Sequence, residues 1–181
     1  MKLKEIKKAN RSCKAANHRA VTPKYIIASS DKKEKILDFG AGVKAYHSKQ
    51  MFKMGFNITA YDFGENVTDF HDEGALLRKY DTVFASNVLN IQSSTDMLNE
   101  TLDQMWNAVK VGGRLVINYP TSPRYLKMST QEMDSLLKKE FPYVKRIKFK
   151  KYTLIWEMQK YKFIFRKDKY GSSNSKRKTS N

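Results

Sequence analysis

Residues Lys35–Tyr46 read Lys-Ile-Leu-Asp-Phe-Gly-Ala-Gly-Val-Lys-Ala-Tyr, and this stretch decides the fold. A short apolar run ends in Asp38 and gives way to Gly40 and Gly42, followed by a segment of helical composition. That is the pattern of a buried parallel strand turning sharply into a ligand-binding loop. Glycine accepts positive φ and lets the backbone come close to a bound molecule.

Working outward, the chain has 181 residues, enough for one domain with a sizeable core. Its 40% hydrophobic and 12% aromatic content exclude a disordered polymer. No apolar run reaches the roughly 18 residues of a membrane span. The basic N-terminus lacks the apolar core of a signal peptide. Cys13 is the only cysteine, so no internal disulfide forms and a reducing, cytoplasmic setting is expected, in a bacterial or phage-infected cell. One Cys with His18, His47 and His71 gives no metal-ligand spacing. The net charge of +17 is uneven: residues 1–24 carry +7, residues 144–181 carry +11, and the body between them carries −1. Two cationic ends on a near-neutral body suit a polyanionic partner. The alternative is a solvated surface with a basic tail.

Read in order, residues 1–21 form a basic arm or short helix, 22–167 the folded domain, and 168–181 a disordered basic tail. A helix is expected from Thr22-Pro23 to Ser29 and a strand over Lys35–Phe39. A second helix runs through His47–Met54, with Gly55 at its end, and a strand covers Asn57–Tyr61. The polar stretch Gly64–Lys79 holds at most one short helix. Tyr80–Val88 is a buried strand, Ser93–Val109 an amphipathic helix and Arg114–Tyr119 a strand after a Gly112-Gly113 connection. Ser129–Phe141 is a helix opened by the capping box Ser129-Thr-Gln-Glu132. Val144–Lys150, Tyr152–Met158 and Tyr161–Arg166 read as antiparallel strands. Alternating strands and helices give an α/β fold: a three-layer, Rossmann-like sandwich on a mostly parallel sheet, with an antiparallel C-terminal strand or hairpin. Its ligand belongs beyond the carboxyl ends of the strands, where Asp38–Gly42, Asp62, Ser86–Asn90 and Tyr119-Pro120 fall.

These residues carry a family resemblance. Ile36-Leu-Asp-Phe-Gly-Ala-Gly42 resembles the first motif of class I S-adenosylmethionine-dependent methyltransferases. Asp62 resembles their ribose-binding acidic residue, and Asp81–Asn90 is similar to their fourth-strand motif. Val111-Gly-Gly-Arg-Leu-Val-Ile117 is similar to their turn and fifth strand. The resemblance covers roughly residues 22–166. It implies S-adenosylmethionine as cofactor, with Gly40, Ala41 and Gly42 against its methionine part and Asp38 near its ammonium group. Asp62 would accept from both ribose hydroxyls, and Phe63 and Ser86 complete the set. The alternative for Asp38 and Asp62 is a pair of strand-end or turn carboxylates. A dinucleotide is the other use of such a loop, although its third glycine would fall at Ala45. Lys44 stands where the family commonly has a glycine, so its side chain either crowds the cofactor or points to solvent. Asp69, Phe70 and His71 are candidates for adenine contact, or plain loop.

Methyl transfer from a sulfonium needs in-line placement of the nucleophile more than activation. Asn87 and Asn90 lie where amino-methylating members carry an Asp/Asn-Pro-Pro-Tyr/Phe motif, which this chain lacks. They are the catalytic candidates, with a strand-end cap the equal alternative for Asn87. Tyr119 and Tyr125 are candidates to line a base-sized pocket, and Arg19, Lys24, Arg124, Lys148 and Lys150 to contact phosphates. Met97, Met105 and Trp106 read as core. The expected substrate is nucleic acid, DNA ahead of RNA, with a protein partner for target choice and neither membrane nor metal. The alternatives are a small-molecule or protein methyltransferase and a non-catalytic nucleic-acid-binding module.

Overall fold

The computed structural model describes residues 3–12, 20–149 and 154–161. Six strands form one sheet: β1 Ile36–Phe39, β2 Ile58–Tyr61, β3 Tyr80–Ala85, β4 Val109–Asn118, β5 Val144–Lys148 and β6 Leu154–Gln159, in the order β2-β1-β3-β4-β6-β5. The first four are parallel, and β6 runs antiparallel to both β4 and β5. This is the expected three-layer α/β sheet with an antiparallel C-terminal hairpin.

The alternation within each strand builds the layers. Leu37, Phe39, Val83, Ala85, Leu115 and Ile117 pack on α4 (Thr95–Ala108) and α5 (Thr130–Glu140). Ile36, Phe84, Val116 and Ile155 face the other way, onto α2 (Val21–Ser29) and α3 (Tyr46–Lys53). All four β1 residues are buried, which is what a continuous apolar run means in a sheet covered on both sides. Met97, Met105 and Trp106 are buried core residues. No helix among the described residues is long and apolar enough to cross a membrane.

Three expectations are corrected. The region between β2 and β3 holds two short 3-10 turns, Gly64–Asn66 and Ala75–Leu77, and a single parallel bridge between Ala60 and His71. A further strand is reduced there to one residue. β4 begins at Val109, so Gly112 and Gly113 lie inside a strand and not in a connection. A Cβ at Gly113 would sit 2.6 Å from the Asp81 carbonyl oxygen, which explains the residue by contact and not by a turn. β3 ends at Ala85, three residues early, because Asn87 takes a left-handed φ of 60° that no strand admits. The strand read at Tyr161–Arg166 lies outside the described residues, except for Tyr161, which is not in a strand.

The capping box at α5 forms as read: Ser129 accepts from the Glu132 amide and Glu132 accepts from the Ser129 amide. Ser129→Ala should therefore cost about 1 kcal/mol and lower Tm by roughly 3 °C, measured by thermal denaturation.

Candidate functional site

The last paired residues Phe39, Tyr61, Ala85 and Ile117 lie at one level of the sheet. Gly40, Asp62, Ser86 and Asn118, the residues that follow them, therefore meet at one edge. The strand order reverses between β1 and β3, so this edge is the topological switch point.

The glycine loop starts with Gly40, at φ +75°, whose backbone is so close to Val88 that a Cβ would fall 2.5 Å from Val88 Cγ2. The Gly40 and Ala41 amides both donate to the Tyr61 carbonyl. Gly42 is also left-handed, at φ 73°. Lys44 is exposed, pointing to solvent and not into the loop. The strained position is the next one: Ala45, fully buried, caps α3 with φ 42°. Position 45 is thus the third place where glycine conformation is demanded, and alanine meets it at a modest strain.

Asp62 is 4% exposed and organises the site. Its Oδ2 accepts from the Gly42 amide at 2.6 Å, and its Oδ1 accepts from the Phe63 amide at 2.8 Å and Asn66 Nδ2 at 3.3 Å. Burial raises its pKa, opposed by the Phe63 and Gly42 N–H donors, then Asn66 and His71. A carboxylate offers about four acceptor positions, so one remains on Oδ2. A ribose could engage it through one hydroxyl at once. The second hydroxyl requires displacing the long Asn66 bond, a correction to the simple two-hydroxyl reading. Asp38, 3% exposed, accepts from Ser48 Oγ of α3 at 2.6 Å. Burial raises its pKa to about 7, with Ser48 pulling it down and the Asp62 charge adding to the rise.

Several supports escaped the sequence reading. His71 Nδ1 accepts from the Thr68 amide at 3.1 Å, so Nε2 carries the hydrogen and donates to the Gly42 carbonyl at 3.1 Å. The remnant of the missing strand thus props the glycine loop. Asn10 of α1 (Leu3–Ser12) is buried, donates to the Phe63 carbonyl at 3.1 Å and accepts from Asn66 Nδ2 at 3.4 Å. Glu5 of the same helix accepts from Ser94 Oγ at 2.8 Å, and Lys8 Nζ lies 4.2 Å from the centre of the Tyr125 ring. The basic arm read at residues 1–21 therefore contains a helix seated across the crevice, from the Asp62 side to the Tyr125 side. A short helix is one of the two readings of this segment; its seat follows from the burial of Ala9 and Asn10 against exposed Lys4, Lys7 and Lys8, which the sequence does not signal.

On the β3 side, Asn87 and Asn118 exchange two bonds of 2.8 Å: the Asn87 amide donates to Asn118 Oδ1, and Asn118 Nδ2 donates to Asn87 Oδ1. The structure thus gives Asn87 the strand-end role. Ser86 Oγ and Asn90 Oδ1 are buried and lack a hydrogen-bond partner among the described residues. Two unsatisfied buried polar atoms within five residues, at a switch point, are what a ligand-binding wall leaves open. Residues 121–128 close the far side, the Arg124 amide donating to the Asn90 carbonyl and the Leu126 amide to the Gln92 carbonyl. Tyr119 is corrected: it is 2% exposed, and its hydroxyl donates to the Leu126 carbonyl, so it anchors this segment and lines no base pocket. Arg124 is exposed and Tyr125 half-buried beside α1. Lys24 is exposed on α2, and Lys148 is exposed on β5, four strands from β1 and so roughly 19 Å from the glycine loop. The structure does not bring Lys148 to the crevice. Arg19 and Lys150 lie outside the described residues. Of the adenine candidates, Asp69 and Phe70 are exposed, Phe70 under Lys49 Nζ at 5.0 Å, and His71 serves the loop. No cluster of metal-binding side chains occurs among the described residues.

A family model described as a methyltransferase domain matches residues 7–163. The chain belongs to the methyltransferase domain family. No curated protein matches its sequence. Among solved structures, it is similar to a TehB-like SAM-dependent methyltransferase from Corynebacterium glutamicum, at 16% identity and TM-score 0.60, over 80% of this chain and 90% of that one. It is also similar to the magnesium protoporphyrin IX methyltransferase of Synechocystis, at 16% identity and TM-score 0.54, over 77% and 76%. A third is the 16S rRNA N2 methyltransferase of T. thermophilus, at 10% identity and TM-score 0.57, over 82% of this chain and 41% of that one. These likenesses show the fold. The methyltransferase domain is an S-adenosylmethionine-dependent enzyme. The site fits that cofactor: a loop whose Gly40 and Gly42 are both left-handed, and a buried carboxylate with an open acceptor position.

Proposed function

We propose that this methyltransferase acts on a polynucleotide, delivering the methyl group to a base nitrogen. The observation that carries the reading is the cationic rim of the crevice. Lys4, Lys7 and Lys8 are exposed along one side of α1, while Ala9 and Asn10 of the same helix face the protein. Arg124 and Lys127 are exposed on the segment beside Tyr125, whose ring lies 4.2 Å from Lys8 Nζ, so the two groups form one continuous cationic rim. Phosphates held along this rim would place a base over the crevice.

Within the crevice, Asp62 binds ribose, Asp38 balances the ammonium group, and the Gly40–Gly42 backbone accommodates the methionine part. S-adenosylmethionine supplies an electrophilic methyl on a sulfonium. With its side chain turned out of the wall that now buries Oδ1, Asn90 would accept from the substrate's amino N–H and so orient its lone pair, and Ser86 Oγ would serve as the second polar contact. Asn87 and Asn118 fix the end of β3, so Asn87 positions this wall. The unpartnered Asn90 oxygen favours an N–H donor as substrate. Whether that polynucleotide is DNA or RNA is decided by experiment.

The test is transfer of labelled methyl to duplex DNA, single-stranded DNA, RNA, protein and small-molecule fractions. Label is expected in a polynucleotide fraction, and the triple variant Lys4→Gln, Lys7→Gln, Lys8→Gln should lower transfer at least about tenfold with a shallower salt dependence. Label confined to protein or small molecules, or a triple variant equal to the parent, overturns the reading.

A further inference from the structure

At the opposite end of the sheet, where β1, β2 and β3 begin, lies a cleft of about 510 Å³ lined by Lys35, Asn57, Thr59, Arg78, Lys79 and Tyr80. Three of the six are cations, the other three carry polar side chains, and none is acidic. The short, irregular connection between β2 and β3 leaves this place open. A regular crossover helix between β2 and β3 would cover this part of the sheet, and here the connection is two 3-10 turns and one bridge.

The donors are partly spent. Arg78 Nη2 donates to Asp72 and to the Tyr80 hydroxyl, and Arg78 Nε also donates to Tyr80. Lys79 Nζ donates to the Asn107 carbonyl at the end of α4. A guanidinium has five N–H donors and an ammonium three, so Arg78 Nη1 and two of the Lys79 hydrogens remain. Among the described residues the Lys35 side chain has no hydrogen bond or ion pair, and its backbone alone is tied to Asp81. The nearby carboxylates are already matched, Asp72 by Arg78 and Asp81 by Lys110. Lys160 lies close enough to Lys79 that, after burial, the Lys79 charge is the next cause lowering its pKa. Arg78 is matched by Asp72, whereas Lys35 and Lys79 have no carboxylate of their own among the described residues, and their two charges call for an anion.

We infer that this cleft binds phosphate groups. It is a second contact, distinct from the methyl-transfer crevice at the other end of the strands. Its volume suits a di- or triphosphate, and its open donors suit non-bridging phosphate oxygens. The phosphates come either from the backbone of the polynucleotide substrate, which rests on the proposed function, or from a free nucleoside polyphosphate.

The test compares three full-length variants, Lys35→Gln, Lys79→Gln and Lys139→Gln. The last removes the same charge from an exposed position of α5 and serves as control. Inorganic tripolyphosphate, titrated by calorimetry, should bind the parent and bind Lys35→Gln at least tenfold more weakly, with Lys139→Gln unchanged. Lys35 is the decisive variant because its side chain supports nothing else, whereas Lys79 also caps α4. Labelled DNA and RNA oligonucleotides are then titrated against salt. A slope reduced by about one in Lys35→Gln assigns the cleft to the backbone. An unchanged slope with weakened tripolyphosphate assigns it to a free polyphosphate. If no oligonucleotide binds the parent, the polynucleotide reading falls and the tripolyphosphate result alone judges the cleft. No tripolyphosphate binding, or equal losses in Lys35→Gln and Lys139→Gln, overturns the inference.

Discussion

Asp62→Ala is expected to weaken S-adenosylmethionine binding by at least about 100-fold, read by calorimetry, while the protein stays folded. Two effects add. The substitution removes the open acceptor on Oδ2, and a hydrogen bond to a charged group contributes roughly 1.5–3 kcal/mol. It also frees the Gly42 amide, held at 2.6 Å, and so loosens the loop that must meet the cofactor in one conformation. A loss of about 2.7 kcal/mol is the hundredfold change. Stability should also fall, by roughly 1–3 kcal/mol, because the Gly42 and Phe63 amides lose their acceptor and the relief of the carboxylate's desolvation offsets only part of that. Asp62→Asn separates the two effects. Asparagine keeps the size and one acceptor, but its NH2 must face either the Gly42 amide or the Phe63 and Asn66 donors. It should bind more tightly than the alanine variant and more weakly than the parent. Cofactor affinity in Asp62→Ala within threefold of the parent would show that this carboxylate serves only the turn.

The fold was legible because its signals are local. The Ile36–Gly42 stretch and the capping box at Ser129 declare themselves within a few residues, and Asp62 follows from the end of the next strand; the structure realises all three elements. What escaped depends on contacts far apart in sequence. Gly113 looked like half of a turn, but its smallness answers to the carbonyls of Tyr80 and Asp81 in the next strand. Asn10 sits among lysines in a segment that reads as a basic arm or short helix, yet it is buried against Phe63 and Asn66, more than fifty positions away. Tyr119, placed after a strand end beside Pro120, suggested a pocket wall. Its hydroxyl instead satisfies a loop carbonyl seven residues on. The glycine pattern drew attention to Lys44, whereas φ at Ala45 marks the demanding position, and no composition rule separates neighbours in that way.

Asp38→Asn is expected to shift two measurements in opposite directions. In the folded protein without cofactor, burial holds the Asp38 carboxyl protonated up to about pH 7, against an ordinary value of 3.8. Between those values the unfolded chain is ionised while the folded chain keeps its proton, so stability falls as pH rises, by about 1.4 kcal/mol per pH unit. Below 3.8 both states are protonated and the effect vanishes. Above about 7 it levels off, at roughly 4 kcal/mol. Asparagine retains an oxygen for Ser48 Oγ and carries no charge to desolvate. The variant should therefore melt several degrees above the parent at pH 8 and coincide with it near pH 4. On the proposed reading the same change removes the anion that would match the cofactor's ammonium group, so affinity should drop at least tenfold at pH 8. In the parent, affinity should climb from pH 6 to 8 as Asp38 gives up its proton, and that climb should disappear in the variant. Calorimetry in two buffers of different ionisation enthalpy reads the released proton directly. Parallel pH–Tm curves for parent and variant, or equal proton release on binding, would place the titrating group elsewhere. A carboxylate that destabilises the empty protein once it ionises, and is matched when a cation arrives, is how a buried site can trade stability for affinity.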